Sequence, residues 1–95
     1  MFAFNRYDVE NLLENGENEI QFDIKPNFFT RLKLSLKGNA INGVQLSSMG
    51  SVFLKSFSFM YPVKDLINLA VQRGYRVFVF KRVTEKEWYL KFTSH

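Results

Sequence analysis

The hydrophobic period of this chain switches from about 3.6 to about 2 in two places, each time across a glycine. From Asp8 to Glu14, Val9, Leu12 and Leu13 recur at i, i+3 and i+4. Acids stand in the first turn, where the helix dipole favours them. Asn15-Gly16 then supplies a helix stop. From Glu19, Ile20, Phe22 and Ile24 alternate with Glu19, Gln21, Asp23 and Lys25, the pattern of a half-buried strand. The same switch recurs later. Pro62 fits a first helical turn, and Val63, Leu66, Ile67, Ala70 and Val71 form an apolar stripe that Gly74 ends after Arg73. Arg76 to Val83 and Glu87 to Phe92 follow as strands, and the short Thr84-Glu85-Lys86 link makes them a hairpin.

The stretch between the two helices alternates as well. Pro26-Asn27 turns the chain, and Phe28, Leu32, Leu34 and Leu36 then alternate with Arg31, Lys33, Ser35 and Lys37 until Gly38-Asn39. A shorter strand is expected around Val44 and Leu46, bent at Gly43, with a turn at Met49-Gly50. Ser51 to Phe59 reads as a further strand with Phe53, Phe57 and Phe59 on one side. The expected order is α-β-β-β-β-α-β-β: two helices and a mostly antiparallel sheet of about six strands, because the strand links are short. Its class is α+β. With 95 residues and no linker, residues 1–95 are expected to be one domain. Phe29 is the odd member of the pair Phe28-Phe29. It either faces a ligand or packs under a loop before the strand begins.

Several chemistries have no residues to work with. There is no cysteine, so neither a disulfide framework nor a thiolate metal site is possible. The one histidine, His95, is the last residue, a poor general base or ligand. Phosphate-cradling glycine loops, HExxH and EF-hand patterns are missing. Seven carboxylates considered for catalysis each have an ordinary place: Asp8, Glu10 and Glu14 on a helix face, Asp23 on a polar strand face, Asp65 at a helix start, Glu85 and Glu87 beside a hairpin. The chain is therefore expected to be non-enzymatic, without cofactor, metal or small-molecule substrate. The first residues lack the basic-then-apolar order of a signal peptide, and no apolar run reaches the roughly 18 residues of a membrane span. A cytoplasmic, membrane-free protein is the expectation.

Charge is the remaining signal. Residues 1–23 hold one basic residue against six acidic ones, a net −5, while residues 24–95 hold twelve against three, a net +9. Arg31, Lys33 and Lys37 share one strand face. Lys81, Arg82 and Lys86 crowd the last turn, Tyr89 and Lys91 share a face of the last strand, and Lys55 sits mid-strand. Cations on strand faces and a hairpin tip suit a phosphate backbone, and Tyr89 suits stacking on a base or sugar. The competing reading is a solvated sheet whose edges are protected by lysine. Size, lack of catalytic residues and an acidic first helix also fit a phage or mobile-element factor that docks on a host protein through Asp8–Glu14.

Between Tyr7 and Phe92 the order of elements resembles the C-terminal double-wing DNA-binding domain of MotA-type phage transcription activators. Leu12-Leu13-Glu14-Asn15-Gly16 leading into Phe22-Asp23-Ile24, and Gly74 between the second helix and the last strands, carry the resemblance. It implies a basic sheet saddle whose hairpins clasp duplex DNA. These 95 residues hold no counterpart of that family's separate helical domain for the host sigma factor. The implication is therefore DNA binding rather than promoter activation, and no individual contact residue is carried over.

Overall fold

A computed structural model describes residues 1–26, 28, 31–32, 41–46, 63–82 and 87–94. The elements in chain order are β1 (Phe2–Ala3), α1 (Arg6–Glu14), β2 (Glu19–Ile24), β3 (Val44–Gln45), α2 (Val63–Gln72), β4 (Arg76–Lys81) and β5 (Trp88–Thr93).

The side chains at its ends fix α1. Asn5 caps it, its Oδ1 accepting the Asp8 N–H at 3.0 Å, and Asp8 reaches back to accept the Phe4 N–H at 2.9 Å. At the other end the Glu17 N–H bonds Leu12 O and the Gly16 N–H bonds Leu13 O, a Schellman closure that needs the positive φ of Gly16. The same closure ends α2: Tyr75 N–H bonds Ala70 O and Gly74 N–H bonds Val71 O, with Gly74 at φ 85°. Both period switches in the sequence thus coincide with real helix ends. No described helix is long and apolar enough to cross a membrane.

The five strands lie in the order β1-β2-β5-β4-β3, with β1 parallel to β2 and all other pairs antiparallel. The fold is α+β as expected, but its sheet is mixed and has five strands among the described residues. Phe2–Ala3, ahead of the first helix, was not expected as a strand: two residues give no period to read. The strand expected from Phe28 is corrected where the structure describes it. Phe28, Arg31 and Leu32 have helical backbone and exposed side chains. Apolar residues at 28, 29 and 32 satisfy a helical turn as well as a strand, and alternation over so short a run cannot separate them. The rest of that run, the expected strand over 51–59, Pro62 and His95 lie outside the described residues. The last hairpin is present, closed by Arg82 N–H to Glu87 O at 2.8 Å.

Strand β5 is central, and Trp88, Leu90 and Phe92 point from it into the core. Ile20 and Ile24 from β2 and Val77 and Val79 from β4 line the same face, against Val9 and Leu13 of α1 and Leu66, Ile67 and Ala70 of α2. Each fully buried member such as Phe92, Leu90 or Ile67 contributes about 1.5–3 kcal/mol. One hydrogen bond ties the two helix ends together: Tyr75 Oη donates to Glu17 O at 2.9 Å. With α1 and α2 on one side, the alternating residues of the sheet form a second, outer face.

Candidate nucleic-acid interface

Register decides what that outer face carries. In β4, Val77 and Val79 are fully buried, so Phe78 and Phe80 point the other way. In β5, the burial of Leu90 and Phe92 turns Tyr89 and Lys91 outward. The ladder sets Phe80 opposite Tyr89 and Phe78 opposite Lys91, and continues to Asp23 and Gln21 of β2. Three aromatic rings therefore meet on the outer face, all half-buried. Phe80 and Tyr89 stack with centroids 5.2 Å apart and planes 10° from parallel, and Phe78 lies 6.3 Å from Phe80. The guanidinium of Arg82 stands 4.3 Å from the Tyr89 centroid, and Lys91 Nζ 5.9 Å from that of Phe80.

Gly43, just before β3, closes the other side of Phe80. Its φ is +95°, and a Cβ built there would come within 2.7 Å of the Phe80 ring. A side chain would occupy the space the ring uses.

Two cations of this face, Arg82 and Lys91, are already paired, while Arg76 stands exposed at the start of β4. Arg82 Nη1 lies 2.9 Å from Asp23 Oδ1 and 3.5 Å from Glu87 Oε2, and Lys91 Nζ lies 3.4 Å from Glu19 Oε1. The Gln21 amide, donating to the same Glu19 oxygen at 3.3 Å, and the Lys91 ammonium hold the Glu19 carboxyl below its ordinary value of 4.5. The acids that give the first 23 residues their negative charge are thus partly spent on the basic residues of the last strands.

Of the residues singled out in the sequence, Arg82, Tyr89 and Lys91 come together on this face. Lys81 does not join them: alternation turns it to the helix side, with Nζ 5.6 Å from the Trp88 ring centroid. Arg31 is exposed and lines a cleft of about 320 Å³ with Asp23, Ile24, Pro26, Glu87 and Trp88. The Arg31 region and the final hairpin therefore meet at one end of the sheet. Lys33, Lys37, Lys55 and Lys86 lie outside the described residues. Phe78 and Phe80 were not singled out from the sequence, and Gly43 was read only as a bend in a strand. The pattern RVFVF allows either its valines or its phenylalanines to face the core, and only pairing with β5 selects. Among the described residues no group of three His, Cys, Asp or Glu side chains could hold a metal ion. No known protein family, curated protein or solved structure matches this chain.

Proposed function

We propose that this protein is a non-enzymatic nucleic-acid-binding domain whose contact surface is the outer face of the sheet, together with the Arg31 end of the cleft. One observation carries the reading: Phe78, Phe80 and Tyr89, all half-buried, cluster on the face of the sheet away from α1 and α2, between Arg82 and Lys91. Packing of these rings on one another stabilises the sheet by about 0.5–1.5 kcal/mol per pair, and their half-exposed faces also leave π surface beside two cations. A face that meets bases and phosphates needs both π surfaces and cations at its rim. Basic strand faces raised the expectation of duplex DNA. The aromatic cluster favours nucleic acid with accessible bases, because a base must leave its stack to meet a ring.

The test is an electrophoretic shift with a duplex, a DNA single strand and an RNA single strand at two salt concentrations. The expected result is binding that weakens steeply with salt, by about one unit of log–log slope per phosphate contacted. Tyr89→Ala should weaken single-strand binding by roughly 1–3 kcal/mol. Absence of binding to all three probes at low salt would sink the reading. Binding to duplex alone, unchanged in Tyr89→Ala, would return the contact to the basic strands and hairpin.

A further inference from the structure

The first seven residues hold four large apolar side chains that the fold leaves in solvent: Met1, Phe2, Phe4 and Tyr7 are 60%, 62%, 88% and 74% exposed. They do not hang on a loose end. The Met1 ammonium donates to Glu19 O at 3.0 Å, Phe2 is laddered to Gln21, and the Phe4 N–H is bonded to Asp8. Phe4 precedes the helix cap, where an apolar residue ordinarily folds down as a staple onto the fourth helical position. That position is Val9, which is fully buried while Phe4 stands away from the surface. The backbone here is ordered and the aromatics face outward.

The neighbouring helix supplies the chemistry of the occupant. Tyr7, Glu10 and Glu14 follow at i, i+3 and i+7, one stripe of α1, which places Glu14 about 10 Å along the axis from Tyr7. Within α1 the acids Asp8, Glu10 and Glu14 outnumber Arg6, which is paired with Glu10, so the helix keeps a net negative charge. We infer that the β1 edge and the Tyr7–Glu14 stripe dock a basic amphipathic helix of another protein. Its apolar side chains would meet Phe4 and Tyr7, and a lysine or arginine about two turns on would meet Glu14. A second copy of this chain is a poor occupant, because a two-fold contact sets the acidic helix against itself. Phe2, laddered to Gln21, faces the outer side of the sheet, but Tyr7 and Glu14 lie on α1 on the opposite side and Phe4 immediately precedes it, and the inference does not depend on nucleic-acid binding.

The probe is a fluorescein-labelled, alanine-rich helical peptide with two leucines one turn apart and two lysines beginning seven residues after the first. Binding to the whole chain is read by fluorescence anisotropy. The expected result is saturable binding that Phe4→Ala and Tyr7→Ala each weaken about tenfold. Glu14→Lys should weaken it about fivefold, and exchanging the peptide's lysines for glutamates should abolish it. Both aromatic residues are exposed, so these variants keep the fold, and their nucleic-acid binding should be unchanged. No binding up to about 1 mM, or equal binding of the glutamate peptide, overturns the inference. So does sedimentation of the wild-type chain as a dimer that Phe4→Ala converts to monomer, which would make a second copy the occupant.

Discussion

Replacing Gly43 by alanine tests the geometry of the aromatic face most directly. Two costs combine at this position. The residue sits at φ +95°, where an L side chain is strained by about 1–2 kcal/mol. The new Cβ would also fall 2.7 Å from Phe80 Cε1 and Cζ, so the ring has to move. Phe80 cannot swing away without loss, because its other neighbour is Tyr89, stacked at 5.2 Å. Losing that arrangement costs a further 0.5–1.5 kcal/mol or so. The sum is about 1.5–3.5 kcal/mol, or roughly 6–28 °C in Tm for a domain of this size. Gly74→Ala is the matched control: its φ is +85°, but an added Cβ meets nothing within 4 Å, so only the backbone cost of about 1–2 kcal/mol applies. Urea denaturation followed by circular dichroism measures both. The ring's share is isolated by repeating Gly43→Ala in a Phe80→Ala background, where its excess over Gly74→Ala should vanish. An excess that survives removal of the ring, or no excess at all, would refute the packing of Phe80 over Gly43.

Three further outcomes follow from the charges and the core. Asp23→Asn frees Arg82 from its closer carboxylate, in an exposed pair worth up to about 1 kcal/mol, so nucleic acid should bind up to about fivefold more tightly by anisotropy. Unchanged or weaker binding would mean that phosphate does not approach Arg82. Because the Glu19 carboxyl is held below 4.5, its contribution to stability is complete above that pH and is lost as pH falls through the lower folded-state value. The wild type should therefore lose more urea resistance than Glu19→Gln on acidification from roughly pH 5 to 3, and parallel losses would contradict the Glu19–Lys91 contact. Tyr75→Phe removes the bond to Glu17 O and leaves a carbonyl short of a partner. About 1–2 kcal/mol of stability should go with it, again read by denaturation.

What the sequence disclosed followed how local the governing interaction is. Helix ends are local, and the glycines at 16 and 74 marked both Schellman closures. Leu66, Ile67 and Ala70 of the α2 stripe are buried as expected and the last hairpin is present, whereas Val71, read as part of the stripe, is exposed at the helix end. Phe28, Arg31 and Leu32 are helical rather than extended, a difference the sequence could not show because apolar residues at 28, 29 and 32 fit two periods equally. The aromatic face needed a choice that RVFVF does not contain. Either set of alternate residues could have faced the helices, and the neighbouring WYLKF resolves it only through register, since Lys91 must stay out and Phe78 stands opposite it. Of the site, Arg82, Tyr89 and Lys91 were legible as outward polar or amphipathic residues. Phe78, Phe80 and Gly43 were not, because their role depends on pairs made across strands.

The charge asymmetry along the chain also changes meaning in three dimensions. Read linearly, an acidic first quarter and a basic remainder imply two poles. But β2 pairs directly with β5, so Glu19 and Asp23 come to rest against Lys91 and Arg82, the latter 59 positions from Asp23 in sequence. At these two cations the poles cancel, and a polyanion reaching them has to displace carboxylates as well as counterions, while Arg76 stands exposed on the same face. Asp8, Glu10 and Glu14 stay on α1, where Arg6 offsets Glu10 at 3.1 Å. The residual acidity thus sits on the helix side of the sheet and the cation–aromatic cluster on the other. Screening confines each field to about 8 Å at physiological salt, less than the depth of a helix packed on a sheet. The two surfaces can therefore serve oppositely charged partners at once. That makes independence measurable: saturating the helix side with the lysine peptide should leave nucleic-acid affinity within about twofold of its value in the free protein, whereas competition between the two would place both partners on one face.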